Sequence, residues 1–275
     1  MSRYSILGYP LKHTMSPPIH KKLFELAGIN DSGYTISEIP PEELIAKIPE
    51  LNSMDGYNIT IPYKVEIIKY LDELDESAKR YNAVNCVVRK NGKSIGYNTD
   101  CYGFLRALEA VNVSLDGNVL LLGCGGAGRM MAIETALHGG KLTIAARNRD
   151  EALAVLDDIR NIKSDADVFV TSLTDIQGNY DVLLNSTPVG MFPKNEFSPV
   201  SEDIVKKCGF VFDAVYNPDT TLLMSYAQKN GIKTLGGMSM LVWQAVVAHE
   251  IWNNSSYSEH DINQLISNTQ KQISL

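Results

Sequence analysis

The sequence predicts a two-domain α/β protein whose second domain is a doubly wound parallel sheet. Three observations carry that reading. A strand, a glycine loop and a helix follow one another at 119–138; strand and helix patterns alternate from Gly117 to Leu235; and two more helical stretches follow the last strand. A chain of 275 residues is long enough for one large domain or two moderate ones.

In chain order, residues 4–8 form a first short strand ending at Gly8. Ser16 stands at an expected N-cap and Pro17 at the first helical position. Ile19, Leu23, Leu26 and Ala27 then recur at helical spacing until Gly28 ends the run. Residues 34–39 read as a second strand, and Pro41, Glu42 and Glu43 open a helix that ends near Leu51. Asp55 and Gly56 turn into a third strand, 57–61, which carries Asn58 and Thr60 on one face and stops at Pro62. Lys64 sits on the first turn of a helix expected over 63–74, where a cation opposes the helix dipole. Local helix physics gives it no reason to be there, so it is either an ordinary exposed lysine or a functional one. Residues 73–79 are a charged surface stretch. Asn91-Gly92, flanked by apolar runs, signals a type I′ hairpin, and Asp100 is a competent N-cap for a helix over 101–111.

From Gly117 onward, strands are expected at 119–122, 142–146, 167–170, 181–185, 210–215 and 233–235. Helices are expected near 127–138, 150–159, 201–207 and 221–230. This is a six-stranded Rossmann sheet with its glycine loop after the first strand. Gly123, Gly125 and Gly128 keep the Gly-x-Gly-x-x-Gly spacing, with Gly126 and Ala127 completing the loop. The first glycine makes a tight turn, the second admits a pyrophosphate to the backbone, and the third lets helix pack on strand. The helix N-terminus adds unpaired N–H groups and partial positive charge. The next strand ends in Arg147-Asn148-Arg149, where an NAD site would place a carboxylate for the ribose hydroxyl. Guanidinium groups there suit the 2′-phosphate of NADP, against the plainer reading of a solvated arginine pair. Gly236-Gly237 marks a hinge, Ser239 is an expected cap for a helix through about Trp252, and Ser258 caps a last helix. Helices that follow a finished sheet must pack elsewhere, so they are expected to return to the first domain. The expected domains are 1–102 plus 238–275, and 103–237.

The formal charge of −7 argues against a nucleic-acid surface while leaving room for a local basic pocket. Cys86, Cys101, Cys124 and Cys208 show neither CxxC spacing nor disulfide-like density, which reads as reduced thiols in the cytoplasm. The five histidines form no HExxH motif, so no metal is expected. No signal-peptide pattern begins the chain. The longest apolar run, near 240–252, is interrupted by Gln244, His249 and Glu250, so no membrane association is expected.

Taken together, the motifs resemble the shikimate dehydrogenase family, including its quinate/shikimate members. The N-terminal block Gly8, Pro10, His13, Thr14, Ser16 and Pro17 is similar to the family's Gly-x-Pro-x-x-His-Ser-x-Ser-Pro signature. Asn58, Thr60, Pro62 and Lys64 match its Asn-x-Thr-x-Pro-x-Lys; Ala83-Val84-Asn85, Asn98-Thr99-Asp100, Asp213-x-Val215-Tyr216-x-Pro218 and Met240 to Gln244 match further blocks. The resemblance implies that Lys64 and Asp100 are the catalytic pair. It implies that Thr14, Ser16, Thr60, Asn85, Tyr216 and Gln244 line a substrate site, with Asn58 close by. The backbone near Ala214, Gly237 and Met240 would meet the cofactor. The first domain would then be the substrate-binding one and the second the NADP-binding one.

The implied reaction is reversible NADPH-dependent reduction of 3-dehydroshikimate in aromatic amino-acid biosynthesis, by a monomer or homodimer. The residue types suit it, because a small carboxylate with three hydroxyls needs hydroxyl and amide side chains. Thr14 and Ser16 can serve the carboxylate, and Lys64 can exchange the proton at C3. Three positions depart from the family. Thr14 replaces a serine, Ser239 replaces a glycine, and the cofactor block loses its last basic residue, which Arg149 stands to replace. The rival readings are a quinate/shikimate enzyme with relaxed substrate or NAD use, and a non-catalytic sensor of the same ligands. Retention of both Lys64 and Asp100 opposes the sensor. A methylene-tetrahydrofolate dehydrogenase shares the architecture, but the polar cluster suits a polyol acid better than a pterin.

Overall fold

The computed structural model describes residues 2–11 and 14–273. The chain divides into two compact units, Met1–Gly103 with Leu241–Thr269 and Phe104–Met240 with Gln270–Leu275.

The first unit opens with β1 (Ser2–Gly8), α1 (Ser16–Leu26) and β2 (Ser32–Glu38). A 3-10 turn at Pro41–Glu43 leads into α2 (Leu44–Leu51), then β3 (Gly56–Ile59) and the single turn of α3 (Tyr63–Glu66). After these come β4 (Glu73–Leu74), α4 (Glu76–Tyr81), β5 (Cys86–Lys90), β6 (Lys93–Tyr97) and α5 (Asp100–Glu109). The six strands form one mixed sheet in the order β2-β1-β3-β5-β6-β4. β1 and β3 are parallel, while β5 runs against both β3 and β6. The C-terminal ends of β1, β3 and β6 and the start of β5 therefore share one end of the sheet. Leu7, Tyr57, Ile59, Tyr63, Ile67 and Val87 lie at its core, all but fully buried. Asn91 and Gly92 both take positive φ, +52° and +79°, as a type I′ turn requires.

Several expected details are corrected. Ser16 is not the N-cap of α1; Met15 holds that position and Ser16 is the first helical residue. The helix expected over 63–74 is one α turn continued as a 3-10 turn at Ile67–Tyr70, because Leu71 is already extended and leads into β4. Asp100 lies inside α5, not before it.

The second unit alternates β7 (Asn118–Leu122), α6 (Gly126–Leu137), β8 (Lys141–Ala145), α7 (Arg149–Ile162) and β9 (Val168–Thr171). It continues through β10 (Tyr180–Asn185), α8 (Glu202–Val205), β11 (Cys208–Asp213), α9 (Leu222–Lys229) and β12 (Lys233–Gly236). The sheet is wholly parallel in the order β12-β11-β10-β7-β8-β9. This is the doubly wound fold, with β7 between its two halves. Val119 to Leu122 are 0 % exposed, as a strand covered on both faces demands.

α10 (Met238–Asn253) and α11 (Glu259–Ile273) close the chain. Ser239 is a helical residue whose Oγ donates to Gly236 O at 2.9 Å, which corrects its expected place as a cap. Ser258 does cap α11, accepting from Asp261 N at 3.1 Å. The return of the tail to the first unit is made by Trp252, which donates Nε1 to Val87 O at 2.9 Å and stacks on Tyr4 at 4.6 Å. From Gln270 the tail clusters with the second unit, where Gln270 Nε2 donates to Tyr216 O at 3.1 Å. Among the described residues no helix is long and apolar enough to cross a membrane.

Candidate active site

In the first unit, the end of the sheet shared by β1, β3, β5 and β6 gathers the polar residues. Tyr63 N donates to Thr60 O at 3.0 Å, and Val84 N to Lys64 O at 2.7 Å, so the backbone on both sides of Lys64 is tied down. Its ammonium reaches Asp100 Oδ2 at 2.5 Å. Both side chains keep access to solvent, at 32 % and 22 % exposure, so a small molecule can reach them. Asp100 is free to turn to Lys64 because Asn98 serves the helix start, its Oδ1 accepting from Asp100 N at 3.1 Å. One ammonium hydrogen engaged by Asp100 leaves two for a ligand.

The other carboxylate oxygen, Asp100 Oδ1, accepts from Asn85 Nδ2 at 2.8 Å. Asn85 is buried, and its Oδ1 accepts from Thr99 N at 2.6 Å. Its Nδ2 also lies 3.0 Å from Thr99 Oγ1 and 3.4 Å from Gln244 Oε1. Gln244 Nε2 donates to Leu241 O at 2.9 Å. Asn58, also buried, donates Nδ2 to Asn85 O at 3.3 Å and accepts from the Tyr34 hydroxyl at 2.8 Å. Lys64, Asp100, Asn85 and Gln244 are thus joined by direct contacts, and Asn58 through a backbone carbonyl. Thr14 and Ser16 stand just past the end of β1, where Ser16 N donates to Thr14 Oγ1 at 3.2 Å. Thr60 follows β3, its N–H bonded to Leu7 O at 2.8 Å. His13, the other polar member of the N-terminal block, lies outside the described residues.

In the second unit, the glycine loop leaves the carboxyl end of β7. Gly123 takes φ +91°, closed to most side chains. A Cβ on Gly128 would stand 2.7 Å from Gly123 O and 2.5 Å from Ser186 Oγ, so helix packs on strand only through glycine. A Cβ on Gly125 or Gly126 would meet nothing within 4 Å among the described residues. Open space before the N-terminus of α6 is what a bound pyrophosphate needs, so the loop fits a dinucleotide. Arg147 and Arg149 are exposed beyond β8, available to a 2′-phosphate. Asn148 acts locally as the cap of α7, accepting from Asp150 N and Glu151 N, and it donates Nδ2 to Glu151 Oε1 at 2.8 Å. Gly237, which donates its N–H to Val215 O, packs so closely that a Cβ would stand 2.1 Å from Ala214 O. Met240 is half-buried, and burial pushes the Tyr216 hydroxyl above the usual tyrosine range.

Sequence reasoning gave no role to Asp213, Asn185 and Thr221. Asp213 is fully buried and accepts from Asn185 Nδ2 at 2.8 Å, Val215 N at 3.1 Å and Thr221 Oγ1 at 2.7 Å. Burial raises its carboxyl and these hydrogen bonds pull it back down. The cluster bolts the ends of β10 and β11 together and sets the course of Ala214 to Tyr216. Also missed were His20, Tyr34 and His249; a histidine on the apolar face of α1 and another in the almost wholly apolar α10 were the available signals. Among the described residues no group of three His, Cys, Asp or Glu side chains could hold a metal ion.

The family model described as the shikimate dehydrogenase substrate binding domain matches residues 6–87. The shikimate dehydrogenase (NADP(+)) of Caldanaerobacter subterraneus subsp. tengcongensis is 37 % identical over 261 residues, covering 93 % of each chain. A shikimate dehydrogenase solved in complex with NADP+ superposes with a TM-score of 0.90 at 33 % identity, over 98 % of this chain and 95 % of that one. The enzyme from Thermus thermophilus, solved with NADP(H) and shikimate, superposes with a TM-score of 0.88 at 30 % identity, over 98 % of this chain and 100 % of that one. Likeness at this level, sustained over nearly the full length of sequence and fold alike, means that the chain belongs to the shikimate dehydrogenase family.

Proposed function

We propose that this chain catalyses the reversible NADPH-dependent reduction of 3-dehydroshikimate to shikimate, with substrate bound by the first unit and cofactor by the second. The observation that carries the reading is the Lys64–Asp100–Asn85 arrangement, an ammonium, a carboxylate and an amide in direct contact at one end of a sheet. NADPH, when bound, supplies the hydride. Lys64 donates a proton to the oxygen that becomes an alkoxide at C3, and takes it back in the oxidative direction. Asp100 holds Lys64 by one oxygen and binds a substrate hydroxyl without itself transferring a proton. Asn85 fixes Asp100, and Gln244 and Thr60 add polar groups for the remaining hydroxyls. Thr14 and Ser16 receive the carboxylate. Gly123, Gly125, Gly126, Ala127 and Gly128 cradle the pyrophosphate. Arg147 and Arg149 take the 2′-phosphate, while Tyr216 serves the substrate and Ala214, Gly237 and Met240 the nicotinamide end. The enzyme works in the cytoplasm as a monomer or homodimer.

Absorbance of the reduced nucleotide tests this directly, with shikimate and quinate each paired with NADP and NAD. Turnover of shikimate with NADP is the expected result. Equal use of NAD would deprive Arg147 and Arg149 of their role, and no turnover in any pairing would leave a binding protein without a reaction.

A further inference from the structure

We infer that Tyr34 is a positioning residue for the carboxylate end of the substrate site, its hydroxyl aligning Ser16 and Asn58 and its ring clamped by the His20–His249 pair. The inference rests on the functional reading above, which places a substrate carboxylate at Ser16.

Tyr34 is on the edge strand β2, with β1 between it and the β3 that leads to Lys64, yet its hydroxyl touches Asn58 and lies beside Ser16. It donates to Asn58 Oδ1 at 2.8 Å, and the Ser16 side chain lies close enough to offset part of the rise that burial imposes on the phenol. A phenol has one hydrogen, so with that hydrogen on Asn58 the oxygen is left as an acceptor, and Ser16 is the neighbouring hydroxyl able to donate to it. The bond also settles the Asn58 amide, with Oδ1 toward Tyr34 and Nδ2 toward Asn85 O. Asn58 then stays in place when Ser16 turns its hydroxyl hydrogen to an arriving carboxylate. One oxygen sets both residues.

What holds that oxygen is a stacked pair of rings. His20 lies against Tyr34 with centroids 4.1 Å apart and planes 7° from parallel. His20 cannot slide, because its Nδ1 meets His249 Nε2 at 3.0 Å and both rings are fully buried. His249 Nδ1 in turn meets the Tyr257 hydroxyl at 3.0 Å, and that hydroxyl donates to Leu23 O at 3.2 Å. Following the hydrogens back from Leu23 puts one on Nδ1 of each histidine and leaves His20 Nε2 a bare acceptor. That atom is buried with no hydrogen-bond partner among the described residues. Burial lowers both imidazoles, so each is neutral at neutral pH, as a chain with one hydrogen per ring requires. His20 thus offers Tyr34 a fixed, uncharged face. The mechanism of proton exchange uses none of these three side chains.

The test compares shikimate with its methyl ester in wild type and in Tyr34→Phe, which keeps the ring and deletes only the hydroxyl. Wild type should prefer the acid. Tyr34→Phe should raise KM for shikimate about tenfold and cut the acid-to-ester preference by a similar factor, the size of one hydrogen bond to a charged group. Its kcat should stay within about twofold and its KM for NADP should not move. His20→Phe, which keeps a flat ring and loses the bond to His249, should lower the preference in the same direction by a smaller factor, and it decides the matter if Tyr34→Phe does not fold. An unchanged acid-to-ester preference, or a loss confined to kcat, overturns the inference while leaving the activity standing. A wild type that turns over neither compound removes the activity and this inference with it.

Discussion

Asn85 and Asp100 are joined by one hydrogen bond, Nδ2 to Oδ1 at 2.8 Å, and that bond leaves the opposite carboxylate oxygen to Lys64. Asn85 also holds Thr99 N, so the same buried amide fixes the start of α5 and the orientation of its first side chain. Replacing Asn85 by alanine should lower stability by about 1–3 kcal/mol, from the buried donors and acceptors left unpaired. It should also lower kcat/KM for shikimate by at least about tenfold, because Asp100 can then swing away. Urea unfolding and steady-state rates on one preparation read both effects; a stability loss with an unchanged rate would make Asn85 purely structural.

Lys64→Ala should reduce kcat by about two to four orders of magnitude, the usual weight of a general acid or base. Because the side chain is one-third exposed, the melting temperature should hardly change. A variant with a near-normal rate would strip Lys64 of its proposed role.

Arg147→Ala and Arg149→Ala should each raise KM for NADP by about tenfold or more and leave KM for NAD nearly unaltered, since only NADP carries the 2′-phosphate. Parallel rises for both nucleotides would point to general damage to the loop instead.

Two glycines of the same loop should behave oppositely. Gly128→Ala presses a methyl to 2.5 Å from Ser186 Oγ and 2.7 Å from Gly123 O, so about 1–3 kcal/mol of stability should be lost. Gly125→Ala faces open space and should leave stability intact while raising KM for NADP. Thermal melts with and without NADP separate the two. If Gly125→Ala binds nucleotide normally, the pyrophosphate does not approach there.

Acid should weaken the fold through the buried histidines. Burial lowers His249 from 6.5 to about 3, so the unfolded chain takes up its proton near neutrality and the folded chain does not. Stability therefore falls as pH drops below about 6.5, by about 2 kcal/mol at about pH 5 from this residue alone. His20 adds in the same direction. Asp213, raised by burial, works with the opposite sign in more acidic solution. In urea titrations, the stability gap between wild type and His249→Phe should narrow as pH is lowered from neutral to about 5. A gap independent of pH would mean that His249 is charged in the fold.

The second unit was the more legible of the two because its signals are local. A buried parallel strand is a run of apolar residues, and Val119 to Leu122 announce it; the turn at Gly123 and the close packing at Gly128 each need glycine. The first unit was readable as α/β but not as one six-stranded mixed sheet, since β4 is only two residues long and β2 has no fully buried residue to mark it. Capping was the weakest inference. Ser16, Asp100 and Ser239 all looked like caps by residue type, yet each lies within a helix: Asp100 turns its side chain to Lys64, Ser16 lies beside Tyr34, and Ser239 bonds back to Gly236 O. For Asp100 that failure is informative: it meets Lys64, which local helix physics had left unexplained. The Tyr34–His20–His249 chain joins residues more than two hundred positions apart, and no local pattern encodes such a pairing.

The tail from Leu241 to Thr269 has a consequence for how the molecule is made. Tyr4 and Val87 are translated well before the indole that covers them, which belongs to Trp252. The first unit is therefore incomplete until Trp252 has followed it off the ribosome, whereas the unbroken run Phe104–Met240 carries every strand of the second sheet. The sheet must wait for a residue translated long after the last of its own strands, and during that interval Tyr4 lacks its stacking partner.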